Sequence, residues 1–287
     1  MGSFDGVHKG HQELIRRTVN MARDDGLKSA VFTFSTHPRN LTKNGVKGIS
    51  YNEEKEQLIE ALGVDYLVNV PFEERIMKMP PEKYVSELLL GKMNMQEAYC
   101  GFNYRYGFKA QGTPETMMRM SMDRGFGFHM MEPYKIDGNV VSSTLVRTLI
   151  EEGRVDEIDM YLGRNYQISG TVIRGNQLGS TIGFATANIP TDDDMVSPAN
   201  GVYNTYCTVD GVRYPAVTNV GNKPTVGIYA KNVETHILNY SEVMYGKHIT
   251  VEFLKMTRPE QKFGSLQELK EQIARDTEAA KVFHGLK

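Results

Sequence analysis

The rhythm of apolar and polar positions changes once along this chain, near residue 165. Ahead of that point, short apolar runs alternate with amphipathic stretches. Leu14, Ile15, Thr18, Val19 and Ala22 recur at helical spacing within Gln12–Ala22. Ser29–Phe34 reads as a buried strand, and Asn52–Leu62 as a helix with Asn52 as N-cap and Glu53 and Glu54 in its first turn. Lys55 stands where a capping box would want Glu or Gln. Tyr66–Val70 predicts a strand, Pro81–Leu90 a helix with Pro81 near its first position, and Glu97–Cys100 a short strand. Thr113-Pro114-Glu115 starts a helix that ends near Gly125, Phe126–Met131 is a strand, and Ser142–Glu152 is a helix stopped by Gly153. Such alternation predicts an α/β domain with a mostly parallel sheet covered on both faces. Ligands of such sheets sit beyond the carboxyl ends of the strands.

Past Asn165 strand-like runs follow one another closely: Tyr166–Arg174, Gly201–Val209, Tyr214–Val220, Val233–Tyr240 and Ile249–Met256. Asp210-Gly211 between two of them is a type I′ hairpin signal. These runs predict an antiparallel sheet or small β-barrel. A closing helix over Ser265–Phe283 shows Leu266, Leu269, Ile273 and Ala280 on one face, with Ser265 as N-cap and Glu268 at the capping-box position. The expected domains are 1–160 and 164–287, joined by a short helix, Val155–Leu162, and Gly163-Arg164. Met117, Met118, Met120 and Met122 cluster on one helix and read as adaptable core filling rather than a docking surface.

Bulk properties narrow the function. A length of 287 residues suits two domains. The formal net charge of −2 supplies no global basic field, so neither nucleic acid nor an anionic membrane is an expected partner, and small-molecule substrates are. No apolar run approaches the ~18 residues of a membrane span, and no secretory signal is seen. Cys100 and Cys207 cannot build a disulfide framework; they read as packed core thiols in a reducing cytoplasm. The sequence leaves the oligomeric state open.

Phe4–His11, FDGVHKGH, carries candidate chemistry. Gly6 and Gly10 let the backbone approach an anion, the following helix start favours negative charge, and His8 and His11 add imidazole donors. The segment SSTLVR follows at Ser142–Arg147. The combination resembles the HxGH nucleotidyltransferase superfamily. That resemblance implies a Rossmann-like domain that transfers a nucleotide monophosphate from a nucleoside triphosphate and releases pyrophosphate. Phe4, Gly6, His8 and His11, with Ser142, Ser143, Thr144 and Arg147, would bind the triphosphate.

A second constellation lies at Gly175–Ile189. Gly175, Gly179 and Gly183 stand at four-residue spacing ahead of Thr186-Ala187-Asn188. Spaced glycines can wrap phosphates, and Thr and Asn oxygens suit Mg²⁺; taken alone, a glycine-rich hairpin explains the segment equally well. Then come Gly201-Val202-Tyr203, NVGNKPTV at Asn219–Val226, VETHILNY at Val233–Tyr240, Tyr245-Gly246, Arg258 and Lys262-Phe263. This succession resembles riboflavin kinase. Together the two halves resemble the bifunctional riboflavin kinase/FAD synthetase family over nearly the whole chain.

The resemblance implies that riboflavin and ATP give FMN, and that FMN and ATP give FAD. Thr186 and Asn188 would bind Mg²⁺ with ATP, Glu234 would be the general base, and Arg258 would help hold the flavin. In the first domain Asn103 would contact the nucleotide and Tyr106 would pack near the flavin of FMN. A kinase with a disabled first domain and a non-catalytic flavin-binding regulator are the competing readings; intact His8, His11, Thr186, Asn188 and Glu234 speak against the regulator.

Three departures stand out. The family carries several residues of strand ahead of FDGxH, where this sequence has Met1-Gly2-Ser3, so a trimmed start and a missing central strand are expected. Ala185 replaces the family's proline, which frees the loop, and Ser180 replaces an arginine.

Overall fold

The structure is a computed structural model that describes residues 1–35, 45–174, 184–225 and 228–286. Contacts divide the chain into two compact units, Met1–Ser143 and Thr144–Lys287.

The first unit comprises α1 (Lys9–Asp24), β1 (Ala30–Phe34), α2 (Asn52–Glu60), β2 (Tyr66–Val70), β3 (Glu97–Gly101), α3 (Pro114–Arg124) and β4 (Gly127–Met131). β1 and β2 pair in parallel, as do β3 and β4. The parallel character is as expected, but it appears as two pairs rather than one continuous sheet. Met1–Ser3 run between them. The Gly2 N–H donates to Phe32 O at 3.3 Å, the Met1 amino group to Tyr99 O at 3.0 Å, and the Thr33 hydroxyl to Ser3 O at 3.1 Å. β1 and β3 also flank a cavity of about 420 Å³ lined by Met1, Leu14, Val31, Met95 and Ala98. Alternate residues of β1 serve opposite layers, as strand geometry requires. Phe32 joins Tyr84, Leu89, Met117 and Phe126, whereas Val31 joins Leu14, Ile15 and Ile59.

Several local expectations need correction. Tyr51, not Asn52, holds the N-cap position of α2. The Asn52 amide instead donates to Glu56 and accepts from Asn69, which ties the helix start to β2. Pro81–Lys83 is α-helical, but Tyr84–Leu90 widens into a π-helix that buries Tyr84, Val85 and Leu89. Met117 and Met120 are core residues, while Met118 and Met122 are exposed on the other face of α3. Core filling therefore accounts for two of the four.

The second unit takes in most of α4 (Ser143–Glu151), then α5 (Ile158–Leu162), β5 (Tyr166–Thr171), β6 (Ala187–Pro190), β7 (Gly201–Val209), β8 (Val212–Thr225), β9 (Ile228–Ile237), β10 (His248–Pro259) and α6 (Leu266–Phe283). Its six-stranded sheet runs β5-β10-β7-β8-β9-β6 with every pair antiparallel. An isolated bridge, Ile173 N–H to Asn188 O at 2.9 Å, links the end of β5 to β6 and brings the sheet toward a barrel. Asp210 and Gly211 both take positive φ, 50° and 80°, as a type I′ turn requires. β5 stops at Thr171, short of the expected Arg174, and β9 starts earlier than expected, at Ile228. On α6 the Ser265 hydroxyl accepts from Glu268 N–H, but the Glu268 carboxylate accepts from Gly264 N–H rather than closing the capping box on Ser265.

The division between the units falls ahead of the expected junction at 160–164. Val155, Ile158 and Leu162 are buried, and Ala199 N–H donates to Ile150 O at 3.3 Å. The α4–α5 segment thus packs within the second unit. Among the described residues no helix is long and apolar enough to cross a membrane.

Candidate active site

In the first unit FDGVHKGH folds into a tight turn that launches α1. Phe4, Gly6 and Val7 all take positive φ, at 50°, 75° and 39°. Only glycine adopts that region without cost, so Phe4 and Val7 store strain, which is commonest at functional sites. Neighbouring residues hold the turn. The Asp5 carboxylate accepts from Ile49 N–H at 2.9 Å, and Asp5 O accepts from the Ser143 hydroxyl at 2.9 Å. Gly6 N–H donates to the Ser50 hydroxyl at 3.2 Å, and the Gln12 amide donates to Val7 O at 2.9 Å.

His8 is the N-cap of α1, its Nδ1 accepting from His11 N–H at 3.2 Å. That bond leaves the proton of a neutral His8 ring on Nε2. The two imidazoles stack, and His11 meets Phe4 edge-on. Burial, then the proximity of His8, holds His11 well below its ordinary pKa of 6.5. Its Nδ1 is buried without a hydrogen-bond partner among the described residues. A buried polar atom of this kind costs free energy unless a ligand meets it. Gly10 packs closely here: a Cβ would lie 3.2 Å from the His8 ring, so the ring would have to shift by a few tenths of an ångström to admit a side chain.

Lys55 is the residue that sequence reasoning missed. It is buried, and its ammonium donates to Phe34 O at the carboxyl end of β1. Burial lowers its pKa, and Asp5 opposes that shift. The signal was a lysine four residues before Ile59, on the buried face of α2.

Beyond the carboxyl ends of β1, β2 and β3 lies an aromatic cavity of about 240 Å³, lined among others by Phe34, Phe72, Tyr104, Arg105, Tyr106 and Lys109. Tyr106 is buried, packs on Tyr84 and Tyr104, and shares a hydrogen bond with Thr116. Burial pushes its hydroxyl up, so it stays protonated. Asn103 is exposed just past β3. Ser142 lies in the first unit beside Ser143, whereas Thr144 and Arg147 belong to the part of α4 in the second unit.

The second unit gathers its own set. Glu234 on β9 stands directly opposite Asn188 on β6 and Asn219 on β8. Directly opposed residues of antiparallel strands share a face. Asn188 turns its amide nitrogen toward the Thr186 hydroxyl at 3.5 Å. The Asn232 amide donates to Asn188 Oδ1 at 3.0 Å and to Glu234 Oε1 at 3.2 Å. Glu234 is half-buried rather than fully exposed. His236 bonds Ala185 O at 2.8 Å and pins the approach to β6. Gly175, Gly179, Gly183 and Ser180 lie outside the described residues. Arg258, expected at the flavin, makes a forked ion pair with Asp276 of α6, at 3.0 and 2.7 Å, and so anchors that helix.

Among the described residues no three His, Cys, Asp or Glu side chains gather as a metal site. Thr186 and Asn188 offer two neutral hard oxygens. Mg²⁺ is commonly held by few protein ligands together with nucleotide phosphates and water, and the pair fits that pattern.

Comparison with known proteins assigns each half of the chain to a family. Residues 1–145 match the FAD synthetase family and residues 162–284 the riboflavin kinase family. A bifunctional riboflavin kinase/FMN adenylyltransferase of Bacillus subtilis is 36% identical over all of this chain and 92% of its own length. One of Escherichia coli is 34% identical, with the same coverage. A crystal structure from Streptococcus pneumoniae, titled a macrolide-efflux protein, superposes with a TM-score of 0.88 at 29% identity, covering 98% of this chain and 92% of its own. What it shares with this chain is the fold. With both enzyme families matched in order and relatives matched over all of its length, the chain belongs to the bifunctional riboflavin kinase/FMN adenylyltransferases.

Proposed function

We propose that Glu234 takes the proton from the ribityl 5′-hydroxyl of riboflavin as that oxygen attacks the γ-phosphorus of ATP. The bond to the β–γ bridging oxygen breaks, ADP leaves, and FMN is formed. A neutral alcohol must lose a proton in this step, so a free carboxylate at the acceptor is required. Thr186 and Asn188 hold Mg²⁺ with the ATP phosphates. When bound, Mg²⁺ neutralises phosphate charge. Gly175, Gly179 and Gly183 complete the phosphate loop, and Arg258 supports the flavin side through the helix it fixes.

The first unit carries the second reaction. A phosphate oxygen of FMN attacks the α-phosphorus of ATP, pyrophosphate leaves, and FAD is formed. The nucleophile is already anionic, so positioning and charge stabilisation suffice. His8 and His11 donate to the phosphates, with Phe4, Gly6, Ser142 and Ser143 completing the triphosphate contacts of this unit. Asn103 contacts the nucleotide. Tyr106 and the aromatic cavity receive the flavin, with Arg105 and Lys109 suited to its phosphate. The working compartment is a reducing cytoplasm. Cys100 and Cys207 are buried free thiols, pushed up by burial to about 11 and about 12, and they need no oxidant.

The observation that carries this reading is the cross-strand meeting of Glu234 with Asn188. The test supplies the full chain with riboflavin, ATP and Mg²⁺ and separates FMN from FAD. Glu234→Gln should lower FMN formation about 10²-fold and spare FAD formation from supplied FMN. His8→Ala and His11→Ala should each lower FAD formation at least about tenfold and spare FMN formation. Equal losses of both products in each variant would make these residues structural.

A further inference from the structure

We propose that Asn232 is a positioning residue for the phosphorylation step, one that locks the base to the metal-binding segment. The inference rests on the reading of Glu234 as base and Asn188 as Mg²⁺ ligand. Asn232 and Glu234 are two residues apart on β9, so both side chains leave the same face of the sheet. Asn188 reaches that face from the neighbouring strand, opposite Glu234. Asn232 is 7% exposed. A buried amide is costly unless its hydrogens are matched. The Nδ2 group has two hydrogens. One meets Asn188 Oδ1 at 3.0 Å and the other Glu234 Oε1 at 3.2 Å. Both partners are groups the reaction uses, and they come from different strands.

An amide with both hydrogens committed cannot turn without breaking a bond to one of them. Asn232 therefore fixes the Glu234 carboxylate relative to the Asn188 amide oxygen. It also directs Asn188, since an amide whose oxygen accepts from Asn232 keeps its own nitrogen on the Thr186 side. A carboxylate at 232 would keep the shape, lose the donor and place a like charge beside Glu234. A small apolar residue would release both partners.

The test uses the full chain with Asn232→Ala and with the isosteric Asn232→Asp, which guards against a variant that fails to fold. Each substitution is also made in the 144–287 fragment, where a cooperative thermal transition and a circular dichroism spectrum matching those of the fragment carrying the native Asn232 report that the second unit is folded. Phosphorylation kcat should fall about tenfold or more, while the KM for riboflavin stays within about twofold. Binding of ADP with Mg²⁺, measured by calorimetry without turnover, should weaken by about three- to tenfold as Asn188 is released. In a Glu234→Gln background, Asn232→Ala should cost much less kcat than in the native background, because residues acting as a unit are not additive. A full loss in both backgrounds, or unchanged kcat and ADP binding in both variants, would overturn the proposal. Failure of the base assignment is seen separately, as near-normal turnover of Glu234→Gln alone, and would remove the proposal with it.

Discussion

The imidazole of His11 lies flat against that of His8, with ring centroids 3.6 Å apart and planes 16° from parallel. Two protonated rings would repel in that arrangement, and burial already holds His11 well below 6.5. The unfolded chain therefore binds a proton below pH 6.5 that the folded chain does not. Above pH 6.5 the group makes no difference. Below it, stability should fall by up to about 1.4 kcal/mol per pH unit from this group. Urea midpoints of the native chain and of His11→Asn, compared between pH 7.5 and 5.5, check this. The native chain should lose stability more steeply on acidification, and parallel curves would remove His11 as the cause.

Two fragments separate the sequence boundary from the structural one. A fragment of residues 144–287 keeps Val155, Ile158, Leu162 and the Ala199–Ile150 hydrogen bond; one of 164–287 loses them. Removing several buried apolar side chains costs about 1.5–3 kcal/mol each in burial alone. The longer fragment should therefore melt higher and form FMN but no FAD. Equal melting temperatures, read by circular dichroism, would restore the boundary near 160–164.

The bond from His236 to Ala185 O bears on the missing family proline. The free loop expected from the alanine is tied at that carbonyl instead. His236→Ala should raise the KM for ATP in phosphorylation by about two- to fivefold, the span that ~0.4–1 kcal/mol of backbone freedom allows. Ala185→Pro should recover part of that loss in the His236→Ala background. A KM unmoved by His236→Ala would show that the bond does not order the loop.

Signals that are local in the chain were legible in it. Tyr66–Val70 and Gly201–Val209 have the same bounds in sequence and structure, because each is a short run with turn residues at both ends. The FDGVHKGH turn was legible because its glycines and its helix start are neighbours. Asn232 was not, because its partners depend on the register of β9 against β6, which no local pattern encodes. Lys55 stood out only as the wrong residue for a capping box, since its acceptor, Phe34 O, is distant in sequence. Arg258 was assigned by resemblance to the flavin, and its fork to Asp276 depends on where α6 docks. The π-helical turn at Tyr84–Leu90 has no local sequence mark, because core packing sets it.

The placement of Met1 matters for anyone handling this protein. Its amino group and the Gly2 N–H already touch both flanking strands, and the 420 Å³ cavity opens alongside. Residues joined ahead of Met1 would be fed toward two strand edges, not out into solvent. A bulky or charged residue there would wedge β1 from β3, and an apolar, β-branched one would pair with them. Melting temperatures of amino-terminally tagged protein would then report the tag as much as the enzyme. A label on the exposed face of α6, where Val282 is 73% exposed, avoids that confusion.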